Sequence, residues 1–198
     1  MKESDLKPWL IRMSQGDAEA FQYVYRSTRD HAYRLIYFLA PYKQDAGDIM
    51  SEVYLELFRS LSKYDAEQPF QAWFNGLIVR QVRSWKRSAW RRFRLLERVA
   101  TGFDAPRHND MEEHVLALSD QLEVMPAVEK LSQKLKEVIV LRYYQDCSME
   151  DIAVILQIPA GTVKSRHHLA LKRLRHLLEV RNAGKESSTY VNGNKTEA

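Results

Sequence analysis

Apolar residues recur at helical spacing along most of the chain, and no segment shows the sustained apolar/polar alternation of a half-buried strand. Phe21, Val24, Tyr25 and Thr28 fall three and four apart, and the apolar stretch Leu35, Ile36, Phe38 and Leu39 is ended by Pro41. Between Asp48 and Leu61, the residues Met50, Val53, Tyr54, Leu57, Phe58 and Leu61 make one stripe, with Asp45, Asp48, Glu52 and Glu56 on another side of the same helix. That acidic side reads either as a solvated face or as a docking surface for a basic partner. Residues 62–69 predict a loop, because Pro69 turns Gln68 away from helical geometry and can itself open the next helix. A long helix is expected from Phe70 to about Trp90. Its wheel sets Trp73, Phe74, Leu77, Ile78 and Trp85 on one broad side. Asn75, Val79, Arg83 and Lys86 lie roughly opposite, on a side expected to be exposed and flanked by Arg80 and Arg87. Gln81 falls among the apolar residues, where it needs a hydrogen-bond partner or carries a desolvation cost of about 1–3 kcal/mol.

The second half has a different grammar. Leu131, Leu135, Val138, Ile139 and Tyr143 stand at core spacing until Gln145-Asp-Cys147 interrupts them. Ser148 can cap a short following helix, with Asp151 placed to return the bond, and Ile152, Ala153, Ile155 and Leu156 face inward. Gln157-Ile-Pro159 predicts a tight turn, after which a basic helix starts near Ala160-Gly-Thr162. A short helix, a three-residue turn and a basic helix together spell a helix-turn-helix. On the final helix Val163, His167, Ala170, Leu174, Leu177 and Leu178 form the packed side. Ser165, His168, Leu169 and Lys172 point outward, with Lys164 and Arg166 on the shoulders.

Charge and composition bound the function. The 198 residues are 45% hydrophobic and 28% charged, enough for modest helical cores, and no apolar run approaches the roughly 20 residues of a membrane span. The amino terminus lacks the apolar core of a signal peptide, so a cytoplasmic location is expected. Cys147, the only cysteine, excludes an internal disulfide and reads as a small packing residue. The net charge of +4 is modest, but its distribution is segmental. Arg80, Arg83, Lys86, Arg87, Arg91, Arg92, Arg94 and Arg98 face a single acid, Glu97. Asp104, Asp110, Glu112, Glu113, Asp120 and Glu123 then reverse the sign, and Lys164, Arg166, Lys172, Arg173 and Arg175 restore it. The expected architecture is all-α, with two small helical domains, an amino-terminal bundle over 1–98 and a helix-turn-helix domain over 128–181. An acidic linker over 99–127 joins them, and a disordered tail over 182–198 follows. His108 and His114 are six apart and do not share a helix face, so no metal site is expected. Convergent carboxylates and a phosphate-binding glycine loop are missing from the pattern, so neither an enzyme, a cofactor nor a small-molecule substrate is expected.

Here the residues carry a resemblance. Ile158-Pro-Ala-Gly-Thr-Val-Lys-Ser-Arg166, preceded by Val140-Leu-Arg-Tyr143 and Ser148-Met-Glu-Asp-Ile-Ala153, closely resembles the carboxy-terminal domain of bacterial extracytoplasmic-function sigma factors. A related helix-turn-helix occurs in response regulators. Asp45-Ala-Gly-Asp-Ile-Met-Ser-Glu52 and Tyr64-Asp-Ala-Glu-Gln-Pro-Phe-Gln-Ala-Trp73 resemble the same family's amino-terminal domain, in the right order and at the right separation.

The resemblance implies a factor that brings RNA polymerase core to promoters through the polymerase's clamp and flap regions. Asp48, Ser51 and Glu52 would dock on the clamp helices. Lys63, Tyr64, Asp65 and Ala66 would capture a base flipped from the minus-ten element, while Arg80, Arg83, Lys86 and Arg87 hold phosphates. Thr162, Lys164, Ser165, Arg166 and His168 would read the minus-thirty-five element. The acidic linker would thread toward the active cleft, and a membrane-anchored anti-sigma factor would mask the free protein. Four positions depart from the family pattern: Gly47 and Ser51 where Glu and Gln are frequent, Gln157 where glycine is usual, and Leu169 where arginine is usual. The alternative is a repressor or activator whose helix-turn-helix binds operator DNA without polymerase.

Overall fold

In a computed structural model that describes residues 6–65, 67–96 and 124–192, with backbone alone for 89–96 and 182–192, every regular element is helical. Helix α1 (Lys7–Ser14), which the apolar pattern did not announce, begins with a proline in its first turn and stops at Gly16, whose φ of +86° suits a residue without Cβ. Helix α2 (Ala18–Leu39) is capped by Asp17, which accepts hydrogen bonds from the backbone N–H groups of Glu19 (2.9 Å) and Ala20 (3.1 Å). The Arg12 guanidinium clamps the cap by donating to Asp17 (2.7 Å) and Glu19 (2.8 Å). After a single 3-10 turn come α3 (Ala46–Ser60), a second 3-10 turn (Leu61–Lys63) and α4 (Phe70–Leu96).

These helices close an aromatic core. Phe70 and Phe74 stack at 5.4 Å between ring centres, Tyr25 meets the edge of Tyr54 at 4.7 Å, and Leu35, Ile36, Leu57, Leu77 and Ile78 are buried around them. Each such apolar side chain contributes on the order of 1.5–3 kcal/mol on leaving water. A polar pair inside is satisfied in series: Thr28 donates to the Val24 carbonyl (2.7 Å) and accepts from the Tyr54 hydroxyl (2.8 Å). Trp85 donates its indole N–H to Asp45 (2.8 Å), tying α4 to the start of α3.

The carboxy-terminal group comprises α5 (Met125–Glu129), α6 (Gln133–Tyr143), α7 (Met149–Leu156) and α8 (Ala160–Asn192). Met125, Val128, Val138, Leu141, Ile152, Leu156, Val163, Ala170 and Leu174 are buried among them.

Several sequence expectations change. The side of α4 expected to be exposed is covered: Asn75 and Val79 are each 1% exposed, because α7 packs across it, and α6 packs on α2. Helix α4 is therefore buried on two sides over this stretch. Phe58, placed in the α3 stripe, is instead 54% exposed, and Tyr143, given a core place, is 53% exposed. The stretch assigned to the linker, 99–127, ends inside α5, whose Met125 and Ala127 are buried. The backbone of residues 182–192, assigned to a disordered tail, continues α8, in keeping with the absence of proline there. The boundary loop at 101–110 and the His108 and His114 pair lie outside the described residues.

Candidate nucleic-acid interface

The helix-turn-helix is built as its turn chemistry requires. Ser148 and Asp151 form a reciprocal capping box at the start of α7, each accepting at 3.0 Å from the other's backbone N–H. Gln157 ends α7 in the left-handed region at φ 55°, ψ 50°, a conformation that disfavours any side chain with a Cβ. Pro159 then accepts from the backbone of Thr162 (2.8 Å) and starts α8. Arg142 braces the preceding loop by donating to the Cys147 carbonyl (2.9 Å), and burial pushes the Cys147 thiol up to about 11, which makes it a packing residue at neutral pH.

On α8 the outward residues are those the wheel selected: Lys164, Ser165, His168 and Leu169 are exposed, while Thr162 and Arg166 are half-buried. Ser165 donates back to the Gly161 carbonyl (2.6 Å), leaving its lone pairs outward. His167 is turned the other way, stacked on Tyr143 at 5.8 Å and hydrogen-bonded to its hydroxyl at 3.0 Å. Burial holds its imidazole below the usual histidine range.

In the loop before α4, Lys63 and Asp65 are exposed and Ala66 lies outside the described residues. The loop is pre-shaped: Tyr64 donates its hydroxyl to the Gln68 carbonyl (2.6 Å) and lies 4.8 Å from the Trp73 ring, and Asp65 accepts from the Glu67 N–H (3.0 Å). Along α4, Arg80, Lys86 and Arg87 are exposed. Arg83 is not: its Nε and Nη2 donate to the two carboxylate oxygens of Glu137 at 2.9 and 2.6 Å, and Glu137 is 1% exposed. Arg83, Lys86 and Arg87 line a cleft of about 770 Å³ whose far wall carries Lys134, Ile158 and Arg166. Cations assigned to two different DNA elements thus share one groove.

On α3, Asp48, Ser51 and Glu52 are exposed along one line, which continues through Leu55 (50% exposed) and Phe58 (54%). Sequence reasoning missed Leu55 and misplaced Phe58; the signal available was a pair of bulky apolar residues at i and i+3, three and six positions beyond Glu52. Such an acidic and apolar strip suits a protein partner better than a nucleic acid.

Two family descriptions match in the order of these surfaces: "Sigma-70 region 2" over residues 24–92 and "Sigma-70, region 4" over residues 121–174. The RNA polymerase sigma-E factor of Streptomyces antibioticus is 33% identical over 171 residues, spanning 85% of this chain and 90% of that protein. The chain belongs to the extracytoplasmic-function sigma factors. The factor SigW of Bacillus subtilis (strain 168) is 26% identical over 187 residues, covering 89% and 98% of the two chains. The same fold occurs in the sigma factor RpoE of Bartonella quintana, solved with the anti-sigma factor NepR, at a TM-score of 0.63 and 20% identity over 82% of this chain and 99% of that one. As a member of this family, the sigma factor works with RNA polymerase core to direct promoter-specific transcription initiation, a reading these likenesses favour over a polymerase-independent repressor or activator. Among the described residues no helix is long and apolar enough to cross a membrane.

Proposed function

We propose that the sigma factor docks on the polymerase clamp through the α3 strip, with Asp48, Ser51 and Glu52 supplying charge and hydrogen bonds and Leu55 and Phe58 the apolar contact. The loop of Lys63, Tyr64, Asp65 and Ala66 receives the flipped minus-ten base. Flipping costs a few kcal/mol of stacking and pairing, so a loop already held by Tyr64 and Asp65 loses little entropy when it closes on the base. Arg80, Arg83, Lys86 and Arg87 take phosphates, which fix register without reading sequence. Thr162, Lys164, Ser165, Arg166 and His168 enter the major groove at the minus-thirty-five element, and α6 to α8 contact the flap. The factor acts in the cytoplasm, holds no catalytic residue, metal or cofactor, and is restrained by a membrane-anchored anti-sigma factor; the anti-sigma partner of the Bartonella relative supports restraint by an anti-sigma factor.

The observation that carries this reading is the pairing, in one chain, of a solvated basic recognition helix with an exposed acidic and apolar strip: one suits DNA, the other a protein. The test is run-off transcription on genomic fragments by sigma-free polymerase, with and without the protein. Defined starts that require it are expected, and their alignment supplies the promoter elements. Absence of such starts, with tight specific DNA binding by the protein alone, would replace this reading with that of a repressor or activator.

A further inference from the structure

The cleft between α4 and the helix-turn-helix poses a geometric conflict. By their own numbering the minus-ten and minus-thirty-five elements lie about 25 base pairs apart, on the order of 80 Å at about 3.4 Å per base pair. Arg87 and Arg166, assigned to one element each, line a single groove of about 770 Å³. Both elements cannot be engaged in this arrangement, so the two halves of the molecule separate when the promoter is read.

What holds them together falls into unequal parts. Gly76 of α4 lies against the Ile155 backbone of α7, Phe38 packs on Tyr144 at 4.6 Å, and Gln133 donates to the Leu39 carbonyl at 3.2 Å. Lys43 pairs with Glu129 at 3.1 Å, but the Glu129 carboxylate is 48% exposed, so water competes for it and the pair contributes less than one whose acid is buried. The fork of Arg83 on Glu137 is the buried element: two charge-assisted hydrogen bonds, one to each carboxylate oxygen, with the acid sealed from water. A guanidinium grips a carboxylate and a phosphodiester with the same two-pronged geometry. We propose that Glu137 is an internal substitute for a promoter phosphate, a latch that holds the free factor closed by occupying Arg83 and is displaced when DNA takes that place. The latch rests on the structure alone; its link to DNA rests on the assignment of Arg83 under the proposed function. Opening carries Glu137 into solvent together with the cleft wall, so the released carboxylate is rehydrated and the switch is reversible.

The test uses the full chain without polymerase, in four forms: wild type, Glu137→Gln, the exchange Arg83→Glu/Glu137→Arg, and Glu129→Gln as the solvated control. Small-angle scattering reads closure, and fluorescence anisotropy with a short random-sequence DNA duplex at low salt reads phosphate binding. Replacing two hydrogen bonds to a carboxylate by at most one to a neutral amide oxygen should raise the open population about tenfold, and with it the affinity for the duplex. Glu129→Gln should change neither. The charge exchange should restore closure yet bind the duplex weakly, which also shows that the variants fold. A Glu137→Gln protein as closed as wild type would overturn the latch. Opening without a gain in duplex affinity would keep the latch and overturn the role of Arg83 in holding phosphates.

Discussion

Gly76 offers a direct check on how the two halves fit. A glycine inside a helix costs about 1 kcal/mol relative to alanine, so its presence in α4 needs a local cause. A Cβ built there would lie 3.2 Å from Arg80 Nη1, 3.4 Å from the Ile155 carbonyl oxygen and 3.9 Å from Ile155 Cα. The Arg80 terminus is flexible and can swing aside, whereas the Ile155 contacts are backbone atoms of α7 and cannot. Alanine therefore fits within a few tenths of an ångström, and its helix propensity, worth about 0.8–1 kcal/mol, should leave stability unchanged or slightly raised. Leucine adds an isobutyl group where the α7 backbone runs. Overpacking of this kind costs about 1–3 kcal/mol, and here the whole of it falls on the contact between halves, since α4 itself gains as a helix. Urea denaturation followed by circular dichroism, with small-angle scattering of the native protein, separates the cases. Gly76→Ala should match the wild-type dimensions with an equal or higher midpoint. Gly76→Leu should be expanded while its amino-terminal helices still unfold cooperatively. A Gly76→Leu protein with wild-type dimensions and stability would refute the claim that backbone proximity at Ile155 excludes a side chain at this position.

Other consequences follow from individual contacts. Ser148→Ala removes the capping oxygen of α7 and should lower stability by about 0.5–2 kcal/mol in chemical denaturation; an unchanged midpoint would mean the capping box is idle. His31 is half-buried, with its Nε2 2.7 Å from the Asn75 side-chain oxygen, and that burial holds its imidazole below the ordinary value of 6.5. Above pH 6.5 the ring is neutral in both states and its contribution is complete; as the pH falls below 6.5 the unfolded chain takes up the proton first, so stability declines. That decline should shrink in His31→Gln, and a slope identical to wild type would assign it elsewhere. Leu55→Ala/Phe58→Ala should weaken binding to polymerase core about tenfold in a pull-down titration, while thermal stability changes little because both side chains are half solvated. Equal core affinity in that variant would remove these residues from the docking strip.

What the sequence disclosed and what it hid divide along a physical line. The helix-turn-helix was legible because its signals are local: Ser148 and Asp151 stand three apart, Pro159 follows the turn, and both act on backbone groups within a few residues. The apolar stripes of α2 and α3 were legible because a helix buried on one side shows a single period. Helix α4 broke that rule. With Phe74 and Ile78 buried toward α2 and α3, and Asn75 and Val79 covered from the opposite side, its wheel mixes core and surface types and reads as one-sided. Glu137 was hidden for a related reason: a carboxylate 1% exposed is assigned to water by every compositional rule, and only its partner, 54 positions earlier in the chain, explains why it is inside.

The same mixture places several demands on α4 at once. Phe70, Phe74, Leu77 and Ile78 serve the amino-terminal core, Asn75, Gly76 and Val79 meet the helix-turn-helix, and Arg83, Lys86 and Arg87 continue that second side into the cleft. The interface and the cationic row therefore follow one another along a single helical face. A substitution that strengthens contact with α7 also narrows access to the cations beyond it, and one that adds charge to the row also loads the contact. If the proposed phosphate role of the row holds, weak binding of DNA by the closed form needs no separate inhibitory segment: the surface that joins the halves and the cationic row lie end to end on one helix, with Arg83 at the junction and Glu137 as its partner in the closed form.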